Sequence, residues 1–163
     1  MNDLVVRNDL SVVASGSGSQ DYVTVNLAGQ LLGIPVLSVH DVLNQQRITA
    51  IPLSPEWVAG VLNLRGRIVT AIDLRVRMDL PPREEGQKSM SVVVEHNDEP
   101  YSLQIDSVGE VLSLSDELFE RNPITLDPKW RDVSKGIYRL ENELMAVLDV
   151  EKLLDLESSS KAA

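Results

Sequence analysis

The chain states one pattern twice, and that repetition constrains its fold more than any other feature. Residues 60–74 (GVLNLRGRIVTAIDL) recur as residues 136–150 (GIYRLENELMAVLDV). Gly60, Leu64 and Asp73 meet identical partners in Gly136, Leu140 and Asp149, and the apolar positions between them match almost throughout. Two earlier stretches repeat in the same order: 36–43 (VLSVHDVL) with 105–112 (IDSVGEVL), and 51–57 (IPLSPEW) with 124–130 (ITLDPKW). Three ordered matches imply one structural unit of about 70 residues used twice.

Composition sets the limits on such a duplication. At 163 residues the chain accommodates one domain or two small subdomains. A 43% hydrophobic fraction supplies a core, drawn from Val, Leu and Ile because aromatics are only 4%. Each half alone would be marginal, so the halves are expected to bury surface against each other. Cysteine is absent, which excludes a disulfide framework and thiol catalysis and suits a reducing cytoplasm. No apolar run approaches the roughly 20 residues needed to cross a bilayer, and the N-terminus lacks the layout of a secretion signal. A net charge of −10 argues against nucleic acid and against an anionic membrane surface, and it favours protein partners.

The local signals are those of an all-β chain. Residues 1–19 end in a Ser/Gly run and read as a flexible tail. Residues 22–27, 31–36 and 39–43 are extended and rich in β-branched or aliphatic side chains. Residues 60–64 and 67–72 flank Arg65-Gly66, a hairpin turn with Gly at a position of awkward backbone angle. Glu141-Asn142 is the weaker counterpart. Asp73 is positioned to cap a short helix over 74–78, and Asp149 one over 150–156. About five short strands per unit suggest a small closed barrel. The expected organisation is a first barrel over 20–83, a linker at 84–89 within a polar, Pro-containing stretch, a second barrel with its helix over 90–156, and a tail over 157–163.

The sequence offers no convincing catalytic constellation. His40 and His96 are isolated and read as ordinary surface or strand residues, and no spacing suits a metal. Gly16-Ser17-Gly18 lacks the strand, helix and Lys of a phosphate loop. The repeated Asp73 and Asp149 are explained by capping. Single-strand nucleic-acid binding would need stacking aromatics on a basic groove, and a small-molecule site would need convergent polar groups. Arg65, at a hairpin tip, has the acidic Glu141 as its repeat partner. It either pairs with a carboxylate such as Asp41, fixing two strands relative to each other, or stands exposed without a fixed partner.

Residues 55–75 (PEWVAGVLNLRGRIVTAIDLR) closely resemble the CheW family, the coupling proteins of bacterial chemotaxis. The likeness runs through 22–42, 105–112 and 148–154, and so covers nearly everything from Gln20 to Leu156. It implies two five-stranded SH3-like barrels with a hydrophobic groove between them, no catalysis and no cofactor. It implies as partners the cytoplasmic tip of chemoreceptors (methyl-accepting chemotaxis proteins) and the regulatory domain of the histidine kinase CheA. Location is then cytoplasmic, with membrane association only through receptors. Carried over by position, the receptor-binding groove falls on Val36, Val39, Arg65, Val108 and Val111, although each of these valines could equally be core, since strand face depends on register. The family's Arg–Glu salt bridge becomes Arg65 with Asp41, one methylene shorter. Kinase binding is carried over to Ile48 and Arg121. Residues 99–104 depart from the family pattern, so an altered third segment is expected in the second barrel.

Overall fold

The computed structural model describes residues 18–155. Ten strands account for half of them: β1 (Ser19–Leu27), β2 (Gln30–Pro35), β3 (Val39–Asn44), β4 (Val58–Leu64), β5 (Arg67–Asp73), β6 (Met90–His96), β7 (Glu99–Ile105), β8 (Ser107–Ser115), β9 (Ser134–Arg139) and β10 (Leu144–Leu148). Three short helices follow strands or loops: α1 (Leu74–Arg77), α2 (Pro128–Arg131) and α3 (Val150–Leu154). Single 3-10 turns lie at Val36–Ser38 and Asp116–Leu118.

The strands form two five-stranded sheets, ordered β8-β1-β2-β10-β9 and β3-β6-β7-β5-β4. Under the internal repeat β1 corresponds to β6, β2 to β7, β3 to β8, β4 to β9 and β5 to β10. With that correspondence the two orders are identical. Both contain one parallel pair: β2 with β10, where Leu32 faces Ala146, and β5 with β7, where Thr70 faces Tyr101.

The expected contiguous barrels over 20–83 and 90–156 are therefore corrected. One compact unit holds residues up to Val25, Leu31–Leu37 and residues from Gly109 onward; the other holds Asn26–Gln30 and Ser38–Val108. Each repeat lends its first two strands to the sheet of the other. Alternation of apolar residues fixes which face of a strand is buried but not which strand it pairs with, so contiguity was the natural and wrong assumption. One boundary moves as well. Ser19 already belongs to β1, and Gly18 accepts a backbone hydrogen bond from Asp116 at 3.2 Å. Residues 1–17 and the tail at 157–163 lie outside the described residues. Residues 99–104 form the regular strand β7, paired with β6 from Met90↔Ile105 to His96↔Glu99, so no altered segment is present there.

The repeated residues have local causes. Asp73 Oδ1 accepts from the amides of Arg75 (3.0 Å) and Val76 (3.3 Å), and Asp149 Oδ1 from that of Lys152 (3.1 Å), so both cap the helices that follow. Gly60 and Gly136 permit close crossing of a loop over a strand. Thr49 pairs with Val61 through two backbone bonds of 2.9 Å, and Glu120 with Ile137 through bonds of 2.9 and 2.8 Å. A Cβ on Gly60 would lie 2.2 Å from the Thr49 carbonyl oxygen, and one on Gly136 2.3 Å from Phe119 Cζ and 2.5 Å from the Glu120 carbonyl oxygen. Only glycine fits beneath those crossings.

The two cores are filled differently. In the unit of β1, Tyr22, Leu114, Tyr138, Met145 and Val147 pack together, with tilted ring contacts between Tyr138 and Tyr22 (5.5 Å) and between Tyr138 and Phe119 (5.4 Å). In the unit of β3, Leu62, Val69 and Ala71 form an aliphatic cluster flanked by Leu43, Ile48 and Leu64. Helix α2 has no helical counterpart in the other repeat. Asp127 caps it through the Lys129 amide, with Pro128 in its first turn.

Candidate protein-docking surfaces

Arg65 sits at the tip of the β4–β5 hairpin. Register pairing of Leu64 with Arg67 leaves a two-residue turn in which Arg65 (φ 52°) and Gly66 (φ 86°) both take positive φ. That combination matches the right-handed twist of the flanking strands. The Asn63 side-chain oxygen accepts the Gly66 amide at 3.0 Å and holds the tip. From there Arg65 reaches Asp41 on β3, with Nη1 2.6 Å from Oδ2. The Arg65 side chain is 74% exposed and that of Asp41 22%. The Arg65 guanidinium, aided by the Val42 amide at 2.8 Å, holds the Asp41 carboxyl below its ordinary pKa. A shallow depression of about 190 Å³ opens beside this pair, lined by His40, Leu64, Arg67 and Glu95 among others. The His40 ring stands 4.0 Å from Glu95.

None of the four groove valines is fully buried. Val36, Val39 and Val108 are half-buried, and Val111 is 52% exposed. Val36 opens the 3-10 turn after β2, Val39 begins β3, and Val108 and Val111 lie near the start of β8. Ile48 is half-buried and packs on the Leu62–Val69–Ala71 cluster, with its Cγ2 2.8 Å from where a Gly60 Cβ would stand. Arg121 is exposed in the loop after Glu120. The structure thus brings Asp41 and Arg65 together and gives Ile48 a packing role.

A second charged constellation went unassigned in the sequence. Asp106, the single residue between β7 and β8, accepts from Arg75 Nε (3.0 Å) and Nη2 (2.6 Å), from Arg83 Nε (3.1 Å) and from the Ala28 amide (2.8 Å). Arg75 also donates to the Pro81 carbonyl at 2.7 Å. Burial would raise the Asp106 pKa, but these donors outweigh it and hold the carboxyl below its ordinary value. The hydrogen bonds to Asp106 raise that of Arg75. Arg75 and Asp106 both lie inside stretches that carry the family resemblance, 55–75 and 105–112. Their spacing of 31 residues gave no signal of contact.

In the other unit, Tyr22, Phe119, Lys135, Asp116 and Tyr138 border a depression of about 270 Å³. Burial pushes the Tyr138 hydroxyl pKa up, so it stays protonated. Among the described residues no group of three or more His, Cys, Asp or Glu is arranged to hold a metal ion. No described helix is long and apolar enough to cross a membrane.

Comparison with known proteins converges on one family. The family model for the CheW-like domain matches residues 21–158. The probable chemotaxis protein CheW of Rhizobium etli is 25% identical over 153 residues, covering 94% of this chain and 98% of that protein. Chemotaxis protein CheW of Bacillus subtilis is 30% identical over 135 residues, covering 82% and 86%. The crystal structure of the scaffolding protein TtCheW from Thermoanaerobacter tengcongensis superposes with a TM-score of 0.75 at 28% identity, covering 85% of this chain and 94% of that one. The chain belongs to the CheW-like domain family, and it is a non-catalytic scaffold of chemotaxis signalling.

Proposed function

We propose that the chain works in the cytoplasm, linking the cytoplasmic tip of a chemoreceptor to the regulatory domain of the histidine kinase CheA. The observation that supports this reading best is the position of four valines. Val is a residue from which both units build their interiors, yet Val36, Val39, Val108 and Val111 all retain solvent-exposed surface. Such side chains suit an amphipathic receptor helix that lays an apolar stripe against them. Arg65, largely exposed and held by Asp41 on the strand that Val39 begins, supplies a directed charge. Kinase contact falls to Arg121 and to the part of Ile48 outside the core.

The mechanism needs no bond chemistry. A rigid body with two separate docking faces transmits state if receptor conformations differ in how they bind or orient it. Weak individual contacts gain strength when many couplers sit in one array. Pull-down by an isolated receptor-tip fragment, and separately by the CheA regulatory domain, tests the reading. Capture by both, with no shift of single-stranded nucleic acid, is the expected result. Capture by neither removes the adaptor role.

A further inference from the structure

We propose that Asp106 is a positioning residue for receptor docking: clamped by Arg75 and Arg83, it fixes the start of β8 and thereby the placement of Val108 and Val111. The inference rests on the docking role of those valines argued above. Asp106 is the single residue between the end of β7 at Ile105 and the start of β8 at Ser107. A one-residue junction of this kind has little freedom once its side chain is tied. Here it is tied on three sides. Arg75 grips it in bidentate fashion from α1. Arg83 grips it from the segment that leads to β6, with Nε at 3.1 Å and Nη2 at 3.0 Å. The Ala28 amide, in the β1–β2 turn, donates to the same carboxylate, and the Asp106 amide donates in return to the Asn26 carbonyl at 3.0 Å.

The three charged side chains are 9%, 11% and 16% exposed for Arg75, Asp106 and Arg83. Two cations on one carboxylate would leave a surplus positive charge. Glu84 and Asp73 lie near enough to act on Arg75 and offset it. Such a cluster is costly to leave half-made, because a buried guanidinium without its partner loses its compensation. It therefore holds one geometry. Val108 follows two residues later and Val111 five, on the strand whose origin the cluster sets. The equivalent junction of the other repeat has no such tie: the residue matching Asp106 is Leu37, 97% exposed in the 3-10 turn, and the residue matching Arg75 is the exposed Glu151. One valine pair is thus mounted on an ion cluster and the other on an apolar turn.

The test compares Asp106→Asn and Arg83→Gln with Val108→Asp in the full chain. Binding is titrated separately against a receptor-tip fragment and the CheA regulatory domain, with hydrogen exchange followed at residues 107–112. Asp106→Asn should weaken the receptor fragment about tenfold, within the range for residues that act on a site without touching its ligand. Its kinase-domain affinity should stay within about twofold, and exchange at 107–112 should rise. Arg83→Gln, which leaves the Arg75 grip intact, should show the same selective pattern at smaller size. If exchange rises in either folded variant while receptor affinity is unchanged, the cluster is only a brace and the proposal falls. If Asp106→Asn fails to fold, Arg83→Gln decides alone, and wild-type receptor binding by it overturns the proposal. If Val108→Asp also binds receptor normally, the docking reading itself is wrong. A response of Val108→Asp without one from the cluster variants overturns the positioning role alone.

Discussion

The two units share a strand order and differ in almost everything laid upon it. What both keep is what the backbone demands: a glycine where a loop crosses a strand, at Gly60 and Gly136, and an aspartate that caps the next helix, at Asp73 and Asp149. What differs is filling and charge. The unit of β1 has an aromatic interior around Tyr138, whereas the unit of β3 has an aliphatic one around Leu62, its repeat equivalent. At the hairpin tip the ion pair Asp41–Arg65 corresponds to Glu110 and Glu141, two acids that cannot pair. The clamp on Asp106 corresponds to a bare Leu37. A duplicated fold thus keeps one architecture while offering two unlike surfaces.

Severing the exchange of strands should have the largest effect. A fragment ending at Gly86 lacks β6 and β7, which occupy the middle of the β3-β6-β7-β5-β4 sheet, and the remainder lacks β1 and β2. Neither fragment should show a cooperative thermal transition by circular dichroism. A folded N-terminal fragment would restore the contiguous barrels. Next come the crossing glycines. Gly60→Ala should cost about 2–4 kcal/mol in urea unfolding, and Gly136→Ala less. At both positions the new methyl meets a backbone carbonyl oxygen, but at Gly60 the approach is closer and the φ of +147° is also unsuited to alanine. Equal costs would show that the two crossings are not distinguished by their filling.

Acid should then discriminate the clamp from its unclamped counterpart. Asp106 has a folded pKa below its ordinary 3.8. Its stabilisation is in full force above that value and is lost as pH falls through the folded pKa. Unfolding free energy should therefore drop as pH falls below the ordinary carboxylate range, with a shallower drop in Asp106→Asn. An unchanged slope would mean that the ion cluster adds no net stability. The smallest stability effect belongs to Arg65→Ala. Its exposed pair with Asp41 is worth about 0–1 kcal/mol, so partner binding should respond more than the unfolding midpoint. A large loss of stability with unchanged binding would make Arg65 a structural residue.

Much of this is legible in the sequence. The caps and the hairpin at Arg65 are local signals, carried by residues within a few positions of one another, and the repeat emerges from comparing the sequence with itself. The Asp41–Arg65 pair was one of two open alternatives in the sequence, singled out by family resemblance, because Asp41 on β3 and Arg65 in the β4–β5 turn belong to opposite edges of their sheet. Strand exchange was not legible at all. The run Ser91, Val92, Val93 and Val94 is buried without alternation, which announces a covered strand but not the neighbours β3 and β7 that cover it. Helix α2 was missed although Asp127-Pro128 carries a capping signature, because four residues are too few to show a helical period. Asp106 was passed over because one carboxylate amid apolar neighbours does not reveal two distant arginines.

The account turns on whether the two faces act independently, and Val39→Asp tests this most directly. Val39 is half-buried at the start of β3, outside the aliphatic cluster of its unit. A carboxylate there would have to be desolvated against an apolar receptor helix. Titrated against a receptor-tip fragment and separately against the CheA regulatory domain, the variant should lose receptor affinity while keeping its fold and its kinase-domain affinity. Unchanged receptor affinity, or loss of both affinities together with the thermal transition, would contradict the account.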